Sequence, residues 1–107
     1  MNVKKAAAAI ACAAALSLAA TGVMAEENEA KGRELISALG CKGCHQFDGS
    51  GGKLGPSLDE VGQRLDEEAL HKVITDPKSV NAGTMMPAYD HLKAEEIDAL
   101  VEFLSDQ

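Results

Sequence analysis

The apolar positions near the carboxyl end of the chain repeat with the period of an α-helix. Between residues 94 and 105, the large apolar side chains recur at i, i+3, i+4 and i+7: Ile97, Leu100, Val101 and Leu104. This spacing places them on one side of a helix, and charged residues occupy the other side. The pattern therefore predicts an amphipathic helix over 94–105 whose apolar stripe faces a core.

Two earlier segments are also predicted to be helical. The first covers Asn28–Leu39 and stops before Gly40. The second covers Asp66–Thr75, with Asp66 as N-cap, and it ends because a residue before a proline, here Asp76 before Pro77, avoids helical torsions. A short turn over 59–64 precedes it. The chain shows no strand pattern and no repeat, so we expect one small all-α domain.

The amino end has the organisation of an export signal. Two lysines precede an alanine-rich apolar run over residues 6–20, and Val23-Met24-Ala25 has the small-residue pattern that signal peptidase accepts. We expect cleavage after Ala25, which leaves residues 26–107 as the mature domain in the periplasm of a bacterium. Two alternatives are an uncleaved membrane anchor and a lipoprotein modified at Cys12. The run is weakly apolar for an anchor, and the residues before Cys12 lack the usual leucine.

The charge balance is strongly acidic. The chain has 10 basic and 17 acidic residues, a formal charge of −7, and loss of Lys4 and Lys5 with the export signal would bring this charge to −9. Such a balance excludes nucleic acid as a natural ligand. We expect a soluble monomer without stable membrane insertion after cleavage, whose protein partners present basic docking surfaces. Acids that only solvate the surface would explain the balance equally well.

The cysteines do not form a disulfide framework. Of the three in the chain, Cys12 lies in the predicted export signal, and only Cys41 and Cys44 remain. An exported domain this small buries too little surface for stability unless another constraint is added. A covalently bound prosthetic group would supply that constraint.

The segment Cys41-Lys42-Gly43-Cys44-His45 has the C-x-x-C-H pattern of covalent haem attachment. Residues at i and i+3 of a helical turn face the same way, so both thiols can reach the two vinyl edges of one haem, and His45 becomes the proximal iron ligand. A thioredoxin-like dithiol would need a strand-helix-strand context, which is not visible. A zinc site would need further ligands, and His71 and His91 are too far apart for the usual histidine pair.

The order of these motifs resembles that of the small class I c-type cytochromes, over nearly the whole predicted mature chain. The matching segments, in the family's order, are Gly32, Cys41-Lys42-Gly43-Cys44-His45, Gly55-Pro56-Ser57-Leu58, Met86-Pro87-Ala88-Tyr89 and the apolar final helix. The resemblance implies an all-α class I cytochrome c fold in which the first and last helices cross, while shorter helices and loops wrap around one covalent haem. It also implies a close approach of the two helices at Gly32, near Phe103.

The resemblance further implies the roles of two pocket residues. The Pro56 carbonyl would accept the Nδ1 proton of His45 and so fix the orientation of the imidazole, and Tyr89 would lie in the haem pocket. An ordinary turn at Gly55-Pro56 is the alternative interpretation.

The distal iron ligand is predicted from the segment Thr84-Met85-Met86-Pro87, because a methionine thioether is a soft ligand that favours reduced iron. We expect Met86 rather than Met85. Pro87 biases Met86 toward extended backbone, where successive side chains face opposite ways, and the family's methionine-proline string falls on Met86. The alternatives are two methionines that only fill the core and a bis-histidine haem with His71 or His91.

With two strong axial ligands the iron has no open position, so we expect an electron-transfer protein rather than an enzyme. The resemblance implies a periplasmic one-electron carrier between respiratory redox partners. Three alternatives remain. They are a sensor or gas-binding module with a displaceable Met86, a small peroxidase-like enzyme that uses His71 or His91, and a subunit docked in a larger redox complex.

Overall fold

The computed structural model describes residues 22–107, and residues 1–21 of the predicted export signal lie outside this range. Helix α1 covers residues 22–38, and a single 3-10 turn follows at Cys41–Gly43. The later helices are α2 (Val61–Arg64), α3 (Glu67–Thr75), α4 (Pro77–Val80) and α5 (Ala94–Ser105). The all-α prediction is confirmed.

The prediction that the chain lacks strands was wrong at one place. Two short antiparallel strands, β1 (Gln46–Phe47) and β2 (Ser50–Gly51), form a hairpin directly after the cysteine motif. The turn between them is Asp48-Gly49, with φ of 51° and 77°. Positive φ at both central residues is what a type I′ hairpin turn requires, and Asp-Gly is one of its preferred sequences. This dipeptide was the signal that could have revealed the hairpin.

The ends of the middle helices follow from local chemistry. The Asp66 side chain accepts a hydrogen bond from the Ala69 amide at 2.8 Å, so the predicted N-cap of α3 is confirmed. Asp76 ends α3 as expected, but the chain then forms α4, which was not predicted. Pro77 is the first residue of α4, a position where its fixed φ and missing N–H are favourable. One Asp-Pro step therefore ends one helix and begins another.

Helices α1 and α5 contact each other closely at Gly32. A methyl group at this position would overlap Cβ of Phe103 and would lie 3.0 Å from the Ala99 carbonyl oxygen. Nearby, Asn28 Nδ2 donates to Glu102 Oε2 at 2.6 Å. The close approach at Gly32 that the family resemblance implied is present.

The core lies where α1, α3 and α5 meet the hairpin. Within residues 22–107 its buried side chains are all apolar: Leu35, Ile36, Phe47, Val61, Leu70, Ile74, Ile97, Leu100, Val101, Phe103 and Leu104. Phe47 and Phe103 pack edge to face with 5.8 Å between ring centroids, which attaches the hairpin to α5. None of the helices described for residues 22–107 has the length and apolar character needed to cross a bilayer.

Candidate functional site

A cleft of about 720 Å³ lies beside this core. Its walls come from the cysteine motif, the segment after the hairpin, α3 and the loop before α5, and they include Cys41, Cys44, His45, Leu54, Gly55, Pro56, Leu58, Leu70, Ile74, Met85, Met86, Tyr89 and Leu104. Cofactor pockets are usually about 300–1,000 Å³ and mostly apolar. The cleft therefore has the size and lining of a site for one cofactor.

His45 is held in the cleft by the 3-10 turn of the cysteine motif, where its amide donates to the Cys41 carbonyl oxygen at 2.9 Å. Its Nδ1 lies 2.6 Å from the Pro56 carbonyl oxygen. A carbonyl can only accept, so Nδ1 is the donor in this contact, and Nε2 is the ring nitrogen left to act as a metal ligand. Such a contact also makes the imidazole a stronger donor.

Gly55 packs directly against the His45 ring. A methyl group at Gly55 would overlap Cε1 of the imidazole and would lie 2.7 Å from Nδ1. The Gly55 amide also donates to the Cys44 carbonyl oxygen at 2.8 Å. Sequence reasoning assigned a role to the Pro56 carbonyl but none to Gly55. Its contact joins residues from two loops, and no local sequence pattern indicates it.

The two cysteines differ in exposure. Cys41 is half-buried and Cys44 is exposed, and both side chains line the cleft. Burial raises the pKa of the Cys41 thiol, and the hydrogen bond from its own backbone only partly opposes this.

The two adjacent methionines occupy different environments. Met85 is 85% exposed at the edge of the cleft. Met86 is half-buried, and it lines a small inner cavity of about 40 Å³ together with Cys41 and His45. The Met86 amide donates to Thr84 Oγ1 at 3.1 Å, which fixes the backbone of this loop. This difference supports Met86 over Met85 as the distal ligand, although the ligand itself stays a prediction.

The other candidate residues separate into two groups. Tyr89 is half-buried in the cleft wall, where its amide donates to the Ile74 carbonyl at 2.9 Å and its hydroxyl donates to the Leu39 carbonyl at 3.4 Å. Burial, and then the nearby Cys41 and Cys44, raise the pKa of the Tyr89 phenol. In contrast, both His71 and His91 are exposed, and neither is among the residues that line the cleft.

These residues fit a covalently attached haem. Two thiols and an imidazole of C-x-x-C-H spacing line one apolar cleft, and the imidazole has its Nδ1 proton engaged. A thioether lines the same inner cavity as the imidazole. The two thiols could form thioether bonds with the vinyl groups of a haem, and the imidazole and the methionine thioether are donors that haem iron accepts.

Comparisons with known proteins show the family to which the chain is similar. A family model described as Cytochrome c matches residues 29–107. The cytochrome c oxidase subunit 2 of Alkalihalophilus pseudofirmus is 33% identical over 82 residues, which cover 69% of this chain and 24% of that protein. The chain therefore spans about a quarter of the length of the curated relative it matches. No solved structure matches.

Proposed function

The chain belongs to the cytochrome c family, and on that premise we propose that it is a periplasmic carrier of single electrons between respiratory redox partners. A cytochrome c domain implies a covalently bound haem c, electron transfer and redox partners. The proposal adds that Cys41 and Cys44 would form the thioethers and that His45 and Met86 would ligate the iron.

One observation carries the proposal: His45 and Met86 line the same inner cavity, which is otherwise apolar. An imidazole and a thioether in one apolar site suit an iron that alternates between two oxidation states without exchanging its ligands. Met85 is 85% exposed and lines the larger cleft but not the inner cavity that His45 and Met86 share.

The residues of the chain have separate tasks in this proposal. When bound, haem c supplies a reversible one-electron iron couple. Cys41 and Cys44 hold the ring covalently, and the Pro56 carbonyl orients His45 through its Nδ1 proton. The apolar side chains of the cleft, such as Leu58, exclude water from the site.

The proposed setting is the periplasm, with the export signal removed after Ala25. The formal charge, −7 for the whole chain and −9 without Lys4 and Lys5, supports partners with basic docking surfaces, because opposite charge steers two proteins toward each other. Such steering weakens beyond about 8–10 Å at physiological salt.

A second candidate is a subunit docked in a larger redox complex. It is favoured by the relative described as a cytochrome c oxidase subunit 2, of which this chain matches 24%. Size-exclusion chromatography of a native membrane and periplasmic extract separates the two. A free carrier elutes at the mass of one small domain, and a docked subunit elutes with its complex.

The test of the proposal is a spectrum of the protein produced in a bacterium that attaches haem c. We expect a periplasmic holoprotein with a low-spin reduced c-type spectrum and, after oxidation, the weak far-red band of methionine bound to ferric iron. High-spin iron or rapid binding of carbon monoxide would contradict the carrier and would favour a sensor or an enzyme.

A further inference from the structure

A network of charged side chains outside the cleft connects α1, the hairpin turn and the segment that carries Pro56. Arg33 Nη1 donates to Asp48 Oδ2 at 2.9 Å, and the Asp48 amide donates to Asp59 Oδ1 at 3.0 Å. Asp48 has a left-handed backbone with φ of 51°, which is unfavourable for most side chains outside such turns. The turn is therefore held by its side chain on one side and by its amide on the other.

Asp59 links this turn to the wall beside His45. The Asp59 amide donates to Ser57 Oγ at 3.1 Å, and the Leu58 amide donates to the Gln46 carbonyl oxygen at 2.8 Å. Ser57 directly follows Pro56, whose carbonyl accepts the Nδ1 proton of the imidazole. A continuous series of short contacts thus runs from the hairpin turn to the Pro56 carbonyl.

Arg33 gives the network a fixed end on α1. Its guanidinium carbon lies 5.2 Å from the ring centroid of Phe103 and 5.7 Å from that of Phe47, and both rings are buried. A guanidinium over aromatic rings is held by cation–π attraction as well as by its ion pair. The anchor is therefore defined in position although the Arg33 side chain is 51% exposed.

The network could contribute to folding stability or to the position of the Pro56 carbonyl, and the exposure of the Arg33–Asp48 ion pair distinguishes these two roles. The side chains of Arg33 and Asp48 are 51% and 59% exposed, and ion pairs in water contribute little to folding stability. In contrast, the position of the Pro56 carbonyl directly affects how strongly the imidazole donates. This network can therefore contribute little to folding stability and still affect how strongly the His45 imidazole donates to a metal.

We propose that Asp59 is a positioning residue for His45. By accepting a hydrogen bond from the Asp48 amide, it holds the 56–59 segment against the hairpin and keeps the Pro56 carbonyl on the Nδ1 proton. It thereby tunes the iron potential although it does not line the cleft. The inference rests on the proposed function, because it takes His45 as an axial ligand.

The test compares Asp59→Ala with Asp59→Asn in the holoprotein. The asparagine keeps an oxygen that accepts the Asp48 amide but removes the charge, whereas alanine removes both. We expect Asp59→Ala to speed hydrogen exchange of the Asp48 amide roughly tenfold. It should also shift the His45 ring resonances of the reduced protein and move the electron-exchange equilibrium about threefold toward reduced iron, because the imidazole donates less. Asp59→Asn should stay close to the wild type in all three measurements.

Asp66→Ala is the matched control, because the Asp66 carboxylate also accepts a backbone amide, but as the N-cap of α3. It should lower the melting temperature and leave the His45 resonances unchanged. Equal shifts of potential in Asp59→Ala and Asp59→Asn would mean that only the charge matters, and unchanged His45 resonances in Asp59→Ala would mean that the role is structural. Either result overturns the positioning role of Asp59. The proposed function still stands in that case if the wild-type protein shows a c-type spectrum. A wild type without haem c overturns both.

Discussion

The imidazole of His45 is fixed by one polar contact and one steric contact. The Pro56 carbonyl oxygen lies 2.6 Å from Nδ1, and Gly55 lies against the face of the ring. A hydrogen bond sets the tautomer and the direction of the ring, but only the absence of a side chain at Gly55 leaves room for it. Together, the two contacts define the orientation of the ring.

Gly55→Ala should therefore disturb the proximal ligand. The added methyl would overlap the ring, so we expect His45 to move away from the Pro56 carbonyl, the reduction potential to rise and stability to fall by about 1–3 kcal/mol. Gly43→Ala is the control, because the same methyl inside the cysteine motif would meet nothing within 4 Å. Voltammetry and thermal unfolding measure both effects. Equal behaviour of the two variants would contradict the close contact at Gly55.

Tyr89 gives a prediction about pH, and as the chain's single tyrosine it can be followed without ambiguity. Burial is the main reason that its pKa is raised above the ordinary value of 10.0. Because the folded state holds the proton more tightly than the unfolded state, the contribution to stability is complete below pH 10. This contribution is lost as the pH rises through the higher pKa that Tyr89 has in the folded state.

The titration can be followed by the chemical shift of the ring carbon that bears the hydroxyl. We expect its midpoint above 10.0, with stability that declines at still higher pH. A midpoint at or below 10.0 in the folded protein would show that the phenol is not shielded from water.

The role of a residue could be predicted from the sequence where a single short motif indicates that role. The C-x-x-C-H spacing predicted Cys41, Cys44 and His45 as haem-binding residues without reference to the fold, and the bias of Pro87 on its neighbour favoured Met86 over Met85 as the iron ligand. Gly55 and Asp59 could not be identified in this way. Their partners, His45 and Asp48, lie 10 and 11 positions away in loops whose paths the apolar pattern does not specify.

The crossing of α1 and α5 depends on the absence of a side chain at Gly32. In Gly32→Ala the methyl would overlap Cβ of Phe103, which is buried and cannot move freely. Overpacking costs about 1–3 kcal/mol, and the better helix propensity of alanine, about 1 kcal/mol, offsets only part of it. We expect Gly32→Ala to have a lower denaturation midpoint and the same far-red methionine band as the wild type.

Ser37→Ala on the exposed side of α1 is the control for this variant, with an expected change within about 0.5 kcal/mol. If Gly32→Ala were as stable as Ser37→Ala, the two helices would not be in the contact described.

The bounds of the elements could be predicted where strong periodicity coincides with a clear end signal. Helix α5 covers Ala94–Ser105 and α3 covers Glu67–Thr75, as the apolar repeat and the Asp66 cap indicated. Helix α1 is already helical at residue 22, earlier than the predicted Asn28, because Met24-Ala25-Glu26-Glu27 consists mostly of good helix formers without proline or glycine. Two-residue strands and a four-residue helix are too short to show a period.

For the molecule as a whole, the cofactor is expected to complete the core. The buried cluster contains only two aromatic side chains, Phe47 and Phe103, and it borders a cleft of about 720 Å³. A domain of this size cannot leave such an apolar surface exposed and remain stable.

The double variant Cys41→Ala, Cys44→Ala should therefore lack covalent haem and be largely unfolded. Circular dichroism is expected to show a loss of most helical signal and no cooperative thermal transition. A variant that kept full helicity and a sharp transition without haem would show that the apolar side chains suffice. It would also contradict the expectation that the cofactor completes the core.

In the proposed carrier, His45 and Met86 ligate one iron, and the far-red methionine band of the ferric protein in two single variants tests this arrangement. We predict that Met86→Ala abolishes this band, lowers the reduction potential and lets added ligands bind the iron. Met85→Ala, which changes a side chain that is 85% exposed, should leave all three properties nearly unchanged. Loss of the band in Met85→Ala with its retention in Met86→Ala would contradict the account.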